Sequence, residues 1–252
     1  MDAPRIAALL EPFLDHPLTE AQVKQISTYI DLLLRWNARI NLTAIRTAEE
    51  IVPRHFGESL FLARHLFPES VERTLLSAPP AEAIQPAKDK PEDLTTAHQP
   101  RITNNSACRV LDLGSGAGFP AIPLKIWAPQ IHLTMIESNH KKAAFLREAS
   151  RALTLTDINV IAERAEILSV PEDSPPNEGR RGLRADVVTF RAVEKFDQIL
   201  SLAQTFLSGQ GRLAILIGTA QIPTLGFVPH MRWQTIHIPQ SSARVLAIGK
   251  QP

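Results

Sequence analysis

Three glycines at alternate positions, Gly114, Gly116 and Gly118, lie in the segment VLDLGSGAGFP at residues 110–120. Glycine tolerates positive φ and lets backbone N–H groups come close to a ligand at the amino end of a helix. The spacing G-x-G-x-G differs from the dinucleotide fingerprint, whose third glycine falls one residue later, and so favours adenosylmethionine over NAD. The segment IHLTMIE then ends on Glu137, where a strand-end carboxylate can accept both ribose hydroxyls of an adenosine ligand. A turn at Glu163-Arg164-Ala165-Glu166 can offer backbone N–H groups and a side chain to an adenine edge. Finally, ADVVTFRAV places Arg191 at the carboxyl edge of a strand, where ligands bind in open α/β sheets. Each feature also has a plainer reading: a tight strand-to-helix turn, an acid favoured by a helix dipole, a surface turn and a surface or capping arginine.

These residues need a parallel sheet to bring them to one edge, and the pattern from Arg109 onward supplies it. Apolar, β-branched runs at about 109–113, 131–136, 158–162, 185–190 and 211–217 alternate with helical stretches near 120–127, 139–152 and 194–207. Two further strands, near 233–238 and 244–249, close the chain as a potential hairpin. The expected fold is a doubly wound, seven-stranded, Rossmann-like α/β sheet of the class I methyltransferase layout. Residues 1–67 read as an N-terminal helical cap. Thr19 and Gln22 have capping-box spacing before a long amphipathic helix to about Arg39, and a second helical pattern from about Ala48 to Leu66 carries Ile51, His55, Leu62 and Leu66. Residues 68–108 read as a flexible, Pro-rich linker or insertion and residues 109–252 as the ligand-binding domain; the shorter stretch from Val170 to Gly182 has the linker's character.

Composition narrows the classes. With 252 residues, 44% of them hydrophobic, the chain supports one sizeable core with an appendage, and a formal net charge of +1 means that any polyanion site must be a local patch. Its single cysteine, Cys108, forms no internal disulfide, which suits a reducing cytoplasm. The amino terminus reads as a short amphipathic helix with no export signal, and no apolar run approaches the roughly 20 residues that span a bilayer. No membrane and no metal are expected, and a monomer is the expected state.

The chain resembles the bacterial family that methylates N7 of a guanine in 16S ribosomal RNA, once called glucose-inhibited division protein B. The resemblance rests on WNARINLTAI at Trp36–Ile45, His55 with Ser59-Leu60, LDLGSGAGFP with IPL to Leu124, the ERAE turn, the FRAV strand end, and Arg244-x-Leu246 with Lys250. The WN-x(3)-NLT element is the most discriminating, since generic methyltransferases have no reason to carry it. The resemblance implies adenosylmethionine as cofactor, with contacts at Gly114, Phe119, Ala165, Glu166 and Arg191, and 16S ribosomal RNA of the small subunit as partner. The chain departs from the pattern at Glu58, where the family usually has aspartate, and at Ile217, where it usually has lysine before the glycine. Guanine N7 carries a lone pair, so methyl transfer needs no prior deprotonation, and no convincing general base stands out. Two candidate substrate residues remain: His55, which reads equally well as a packed histidine, and Asn41, which reads equally well as a cap between helices. The cap arginines Arg35, Arg39, Arg46, Arg54 and Arg64 are candidates for phosphate contact. Methylation of a small molecule or protein, and a non-catalytic RNA-binding module of the same fold, are the competing readings.

Overall fold

A computed structural model describes residues 1–68, 107–169, 183–191 and 195–251. The expected linker, apart from its ends, and the stretch from Val170 to Gly182 lie outside the described residues. The N-terminal part folds as α1 (Ala3–Leu10), α2 (Glu20–Ile40), α3 (Ala48–Ile51) and α4 (Glu58–Leu66). Thr19 and Gln22 form the reciprocal cap that their spacing predicts: Gln22 N–H donates to Thr19 Oγ1 at 3.3 Å and Thr19 N–H donates to Gln22 Oε1 at 2.9 Å.

The single helix expected over 48–66 is divided. A π-helical turn at Val52–Gly57 separates α3 from α4. Pro53 is the physical reason, since it has no N–H to continue the ladder and its ring crowds the carbonyl four residues earlier. Turns of this width recur at functional sites, and this one carries His55.

The second part alternates as expected: β1 (Arg109–Leu113), α5 (Ala121–Trp127), β2 (His132–Ile136), α6 (His140–Ala152), β3 (Ile158–Ile161), α7 (Ala165–Leu168), β4 (Ala185–Arg191), α8 (Phe196–Gln204), β5 (Leu207–Gly218), α9 (Ile222–Leu225), β6 (Arg232–His237) and β7 (Arg244–Lys250). The strands form one seven-stranded sheet in the order β3-β2-β1-β4-β5-β7-β6, with β7 antiparallel to both neighbours and the rest parallel. Strand order reverses between β1 and β4, which makes that edge the switch point where open α/β sheets bind ligands.

Alternation along the strands builds two cores. Leu111, Leu113, Val188, Phe190 and Ile215 pack on one face with Leu200 and Ala203 of α8. Val110, Val187 and Ala214 face the other way, into a core they share with Ile6, Ile26, Leu33, Phe56 and Leu62 of the N-terminal helices. Each fully buried aliphatic side chain of this kind contributes about 1.5–3 kcal/mol. The N-terminal helices are therefore fixed rigidly over one face of the switch point, and whatever they carry is held against β4 and the glycine loop.

Candidate active site

All three loop glycines adopt positive φ, +64° at Gly114, +55° at Gly116 and +82° at Gly118. Their surroundings differ. A Cβ on Gly118 would stand 2.5 Å from Tyr29 Oη and 2.7 Å from Ile122 Cδ1, whereas one on Gly116 would meet only Gly114 O at 3.8 Å. Gly118 is thus demanded by packing between loop and cap, while Gly116 faces open space. Glu137 fixes this loop from the end of β2, its Oε2 accepting from Gly116 N–H and its Oε1 from Asn139 N–H, both at 2.8 Å. Each carboxylate oxygen retains a lone pair beyond these bonds. Beside the loop lies a cleft of about 740 Å³ lined by Gly114, Ile136, Ser138, Ala165, Glu166 and Lys195 among others. The residues on either side of the strand-end acid, the ERAE turn and the first loop glycine thus meet around one cavity of ligand size.

Beneath the loop the sheet carries polar groups without partners. Asp112 of β1 is fully buried and stands opposite Thr189 of β4 in register. Both Asp112 carboxylate oxygens and Thr189 Oγ1 lack a hydrogen-bond partner, because the Ser115 hydroxyl donates to the Asp112 backbone carbonyl instead, at 3.2 Å. Burial pushes the Asp112 carboxyl up to about 7; the nearby Ser115 hydroxyl opposes that rise and the Glu137 charge adds to it. A folded-state value above the unfolded one means that stability falls as pH rises from about 4 through about 7. Asp112→Asn should remove this dependence, so that between pH 5 and pH 8 the variant gains about 2–3 kcal/mol on the parent in denaturant unfolding without ligand. Parallel stability curves for the two proteins would show that Asp112 is ionised throughout.

Acceptors held dry under a glycine cradle suit a cationic ligand group, directly or through one ordered water. The donor set therefore fits adenosylmethionine, whose methionine end carries an ammonium and whose adenosine end carries hydroxyls and a purine. The fit uses the cradle at Gly114 and Gly116, the free lone pairs of Glu137, and Asp112 with Thr189.

The opposite wall of the cleft is α8, through Gln198, Ile199 and Leu202, and the N-terminal helices instead meet the glycine loop at its carboxyl end. Phe119, 8% exposed, stacks on His55 with ring centroids 4.8 Å apart and on Tyr29 at 5.4 Å, with Phe56 edge-on at 5.1 Å. Arg191 Nη2 donates to His55 Nδ1 at 3.0 Å and to the Arg54 carbonyl at 2.9 Å. Since a guanidinium only donates, Nδ1 is the acceptor, and His55 Nε2 carries the proton that it donates to Thr43 Oγ1 at 2.7 Å. Burial first, and then the charges of Arg191, Arg54 and Arg244, push the His55 pKa down to about 3. Both ring nitrogens are thus engaged, and the environment favours the neutral imidazole.

The WN-x(3)-NLT element explains how this histidine is held. The buried Asn37 carboxamide accepts from Thr43 N–H at 2.9 Å and donates to the carbonyls of Thr43 (3.0 Å) and Ile45 (3.3 Å), which fixes Thr43 against His55. Asn41 ends α2 with φ +47°, and its Oδ1 accepts from Arg46 Nη2 at 3.0 Å. Glu58 pairs with Arg54 (2.6 Å), Arg244 (2.9 Å) and Arg191 (3.3 Å), so a carboxylate at this position is held by three guanidinium groups. Ile217 is a buried apolar residue of the second core. Of the five cap arginines, Arg54 reaches this cluster, whereas Arg46 holds Asn41 and Arg64 lies over the Phe61 ring at 4.6 Å.

Sequence reasoning named Arg191, His55 and the glycine loop, which the structure brings together. It left Asp112, Thr189, Thr43, Asn37 and Tyr29 without roles of their own. Tyr29, fully buried, donates its hydroxyl to the Ala117 carbonyl and so ties α2 to the glycine loop. Among the described residues no helix is long and apolar enough to cross a membrane, and no group of three or more His, Cys, Asp or Glu side chains is placed to hold a metal ion.

A crystal structure of a candidate O-methyltransferase from Klebsiella pneumoniae superposes with a TM-score of 0.54 and 13% identity, over 88% of this chain and 89% of that one, which supports the fold. A relative from Chloroflexus aggregans, named ribosomal RNA small subunit methyltransferase G, is 33% identical over 92% of this chain and 83% of its own length. Relatives of the same name from Streptococcus agalactiae and Xylella fastidiosa are 35% and 30% identical, over 81% and 93% of this chain and 68% and 88% of theirs. The family model described as rRNA small subunit methyltransferase G matches residues 22–74 and 96–224. Motif, fold and match all extend across both the N-terminal helices and the sheet, so the chain belongs to the small-subunit ribosomal RNA methyltransferase G family.

Proposed function

We propose that this chain transfers the methyl group of adenosylmethionine to N7 of a guanine in 16S ribosomal RNA of the small subunit, acting as a cytoplasmic monomer. The observation that carries the reading is the wall formed by Phe119, His55 and Arg191, positioned by the family's own WN-x(3)-NLT element at the rim of the glycine loop. Gly114 would hold the cofactor through its backbone groups and Gly116 would leave room beside it, with Glu137 on its ribose hydroxyls, Ala165 and Glu166 on its adenine, and Phe119 and Arg191 closing the methionine end. Bound adenosylmethionine supplies an electrophilic methyl group.

The residues present suit an acceptor that arrives with its lone pair ready. His55 is neutral with both nitrogens engaged, and Asp112 lies beneath the loop, fully buried. Neither takes a proton from a substrate, and guanine N7 gives none up. What the chain supplies is orientation in a site from which much of the water is excluded, together with fixed charges that need no reorganisation during transfer.

The test is incubation of the purified chain with methyl-labelled adenosylmethionine and small ribosomal subunits lacking the modification. Label should be recovered from 16S RNA as 7-methylguanine. Label in protein or small molecules, or binding of RNA without transfer, would replace this reading by one of its competitors.

A further inference from the structure

The cluster around Glu58 holds more positive charge than its carboxylate offsets. Arg54, Arg191 and Arg244 converge on it, and no second carboxylate among the described residues acts on Arg191 or Arg244. His55, packed among them, is neutral. Donor capacity is left over as well, since Arg191 Nη1 and Arg244 Nε are buried without an acceptor. Three cations this close repel one another, and a buried guanidinium N–H without a partner is costly, so the arrangement is incomplete without an anion.

Exposure and topology indicate where that anion comes from. Glu58 and Arg191 lie at the back, with side chains 3% and 6% exposed, Arg244 is 15% exposed, and Arg54 opens to solvent at 39%. Arg244 begins β7 opposite Gly218, the last residue of β5. In the sheet order β7 stands three strands from β1, about 14 Å at ordinary strand spacing, and on the other side of the switch point from β2. The cofactor cleft is lined from the ends of β1 and β2, the ERAE turn that follows β3, and α8, and neither Arg54, Glu58, Arg191 nor Arg244 lines it, so the cluster stands apart from the cofactor cleft, at the part of the edge left to the substrate.

We propose that Arg54 and Arg244, backed by Arg191 and locked by Glu58, form an oxyanion subsite for a phosphodiester of the RNA strand beside the target nucleotide. This rests on the RNA reading given above. Arginine forks match phosphate oxygens in geometry, and a guanidinium already pinned by a carboxylate loses little further freedom on binding.

The experiment uses the full chain and the variants Arg54→Gln, Arg54→Lys and Arg244→Gln. Affinity for a small-subunit RNA fragment is measured across a salt series, and affinity for adenosylmethionine by calorimetry. Each Gln variant should bind RNA several-fold more weakly, with the slope of log K against log salt reduced by about 0.7, the single-strand value for one phosphate contact. Arg54→Lys should restore most of that slope, and cofactor affinity should stay within twofold of the parent throughout. Loss of cofactor affinity with an unchanged RNA slope would assign the oxyanion to the methionine carboxylate and overturn the proposal, as would no change in either. Should Arg244→Gln fail to fold, the Arg54 pair decides, because that side chain is the exposed one. A parent that transfers no methyl to RNA overturns the RNA reading and this subsite together, whereas parental transfer with unaltered slopes overturns the subsite alone.

Discussion

Gly118→Ala is expected to leave little folded protein, whereas Gly116→Ala is expected to fold and fail to bind adenosylmethionine. The same methyl group meets opposite surroundings at the two positions. At Gly118 it would collide with Tyr29 Oη and Ile122 Cδ1, at 2.5 and 2.7 Å. Tyr29 cannot retreat, because it is fully buried among Phe56, Phe119 and Phe145 and its hydroxyl is tied to the Ala117 carbonyl. Overpacking of this kind costs about 1–3 kcal/mol, and a non-glycine residue at φ +82° adds about 1–2 kcal/mol. Together these approach the whole stability of a marginal domain, roughly 5–15 kcal/mol. At Gly116 only the conformational cost applies, since the space beside it is open. That open space is where a ligand is expected to approach the backbone, so the loss of binding should appear in calorimetric titration while the melting curve shifts only by the conformational cost of a non-glycine residue at positive φ. A Gly118 variant that melts like the parent, or a Gly116 variant with parental cofactor affinity, would reverse the assignment of the two glycines.

The sheet was legible because its strands are short apolar runs separated by turn residues, and such runs fix most element boundaries almost to the residue, the exception being β5, which begins at Leu207, four residues before the apolar run at 211–217. The helix expected over 48–66 was less legible: apolar periodicity continues through Pro53, but the hydrogen-bond ladder does not. Glycine loop, Glu137 and Arg191 could be read from position alone, since a strand end at a parallel sheet's carboxyl edge has one place to be. The charge cluster could not. Glu58 meets Arg191 and Arg244 from far along the chain, and nothing in their spacing says that the three converge. Asp112 was hidden for a different reason: inside an apolar strand it reads as an interruption, and only the fold shows both oxygens dry and opposite Thr189. Asn37 and Thr43 were visible as a family signature, while the cause of that signature, a carboxamide bracing the support of His55, needs the three-dimensional contact.

Arg191→Ala should lower methyl transfer to RNA by about 10²–10³-fold in kcat while the protein remains folded. The fold should survive because Glu58 keeps Arg54 and Arg244 as partners, so no carboxylate is left buried alone. What is lost is the cation that ties the end of β4 to His55, which stacks on Phe119 beside the glycine loop. Guanine presents N7 and O6 side by side, and arginine is the usual partner of that edge. N7 must stay free to attack, which leaves O6, a phosphate or the methionine carboxylate for Arg191. Lysine should rescue poorly, since Arg191 uses one nitrogen to hold both His55 and the Arg54 carbonyl and presents the other, Nη1, without a partner, a division of labour that a single ammonium cannot reproduce. A second readout separates this role from a structural one. Burial is the first cause of the low His55 pKa and the Arg191 charge the second, so in Arg191→Ala the histidine pKa should rise from about 3, as followed by NMR titration of its ring protons. Transfer at the parental rate with a raised His55 pKa would show that Arg191 holds the histidine and nothing more, and would move the reacting centre elsewhere on the sheet edge.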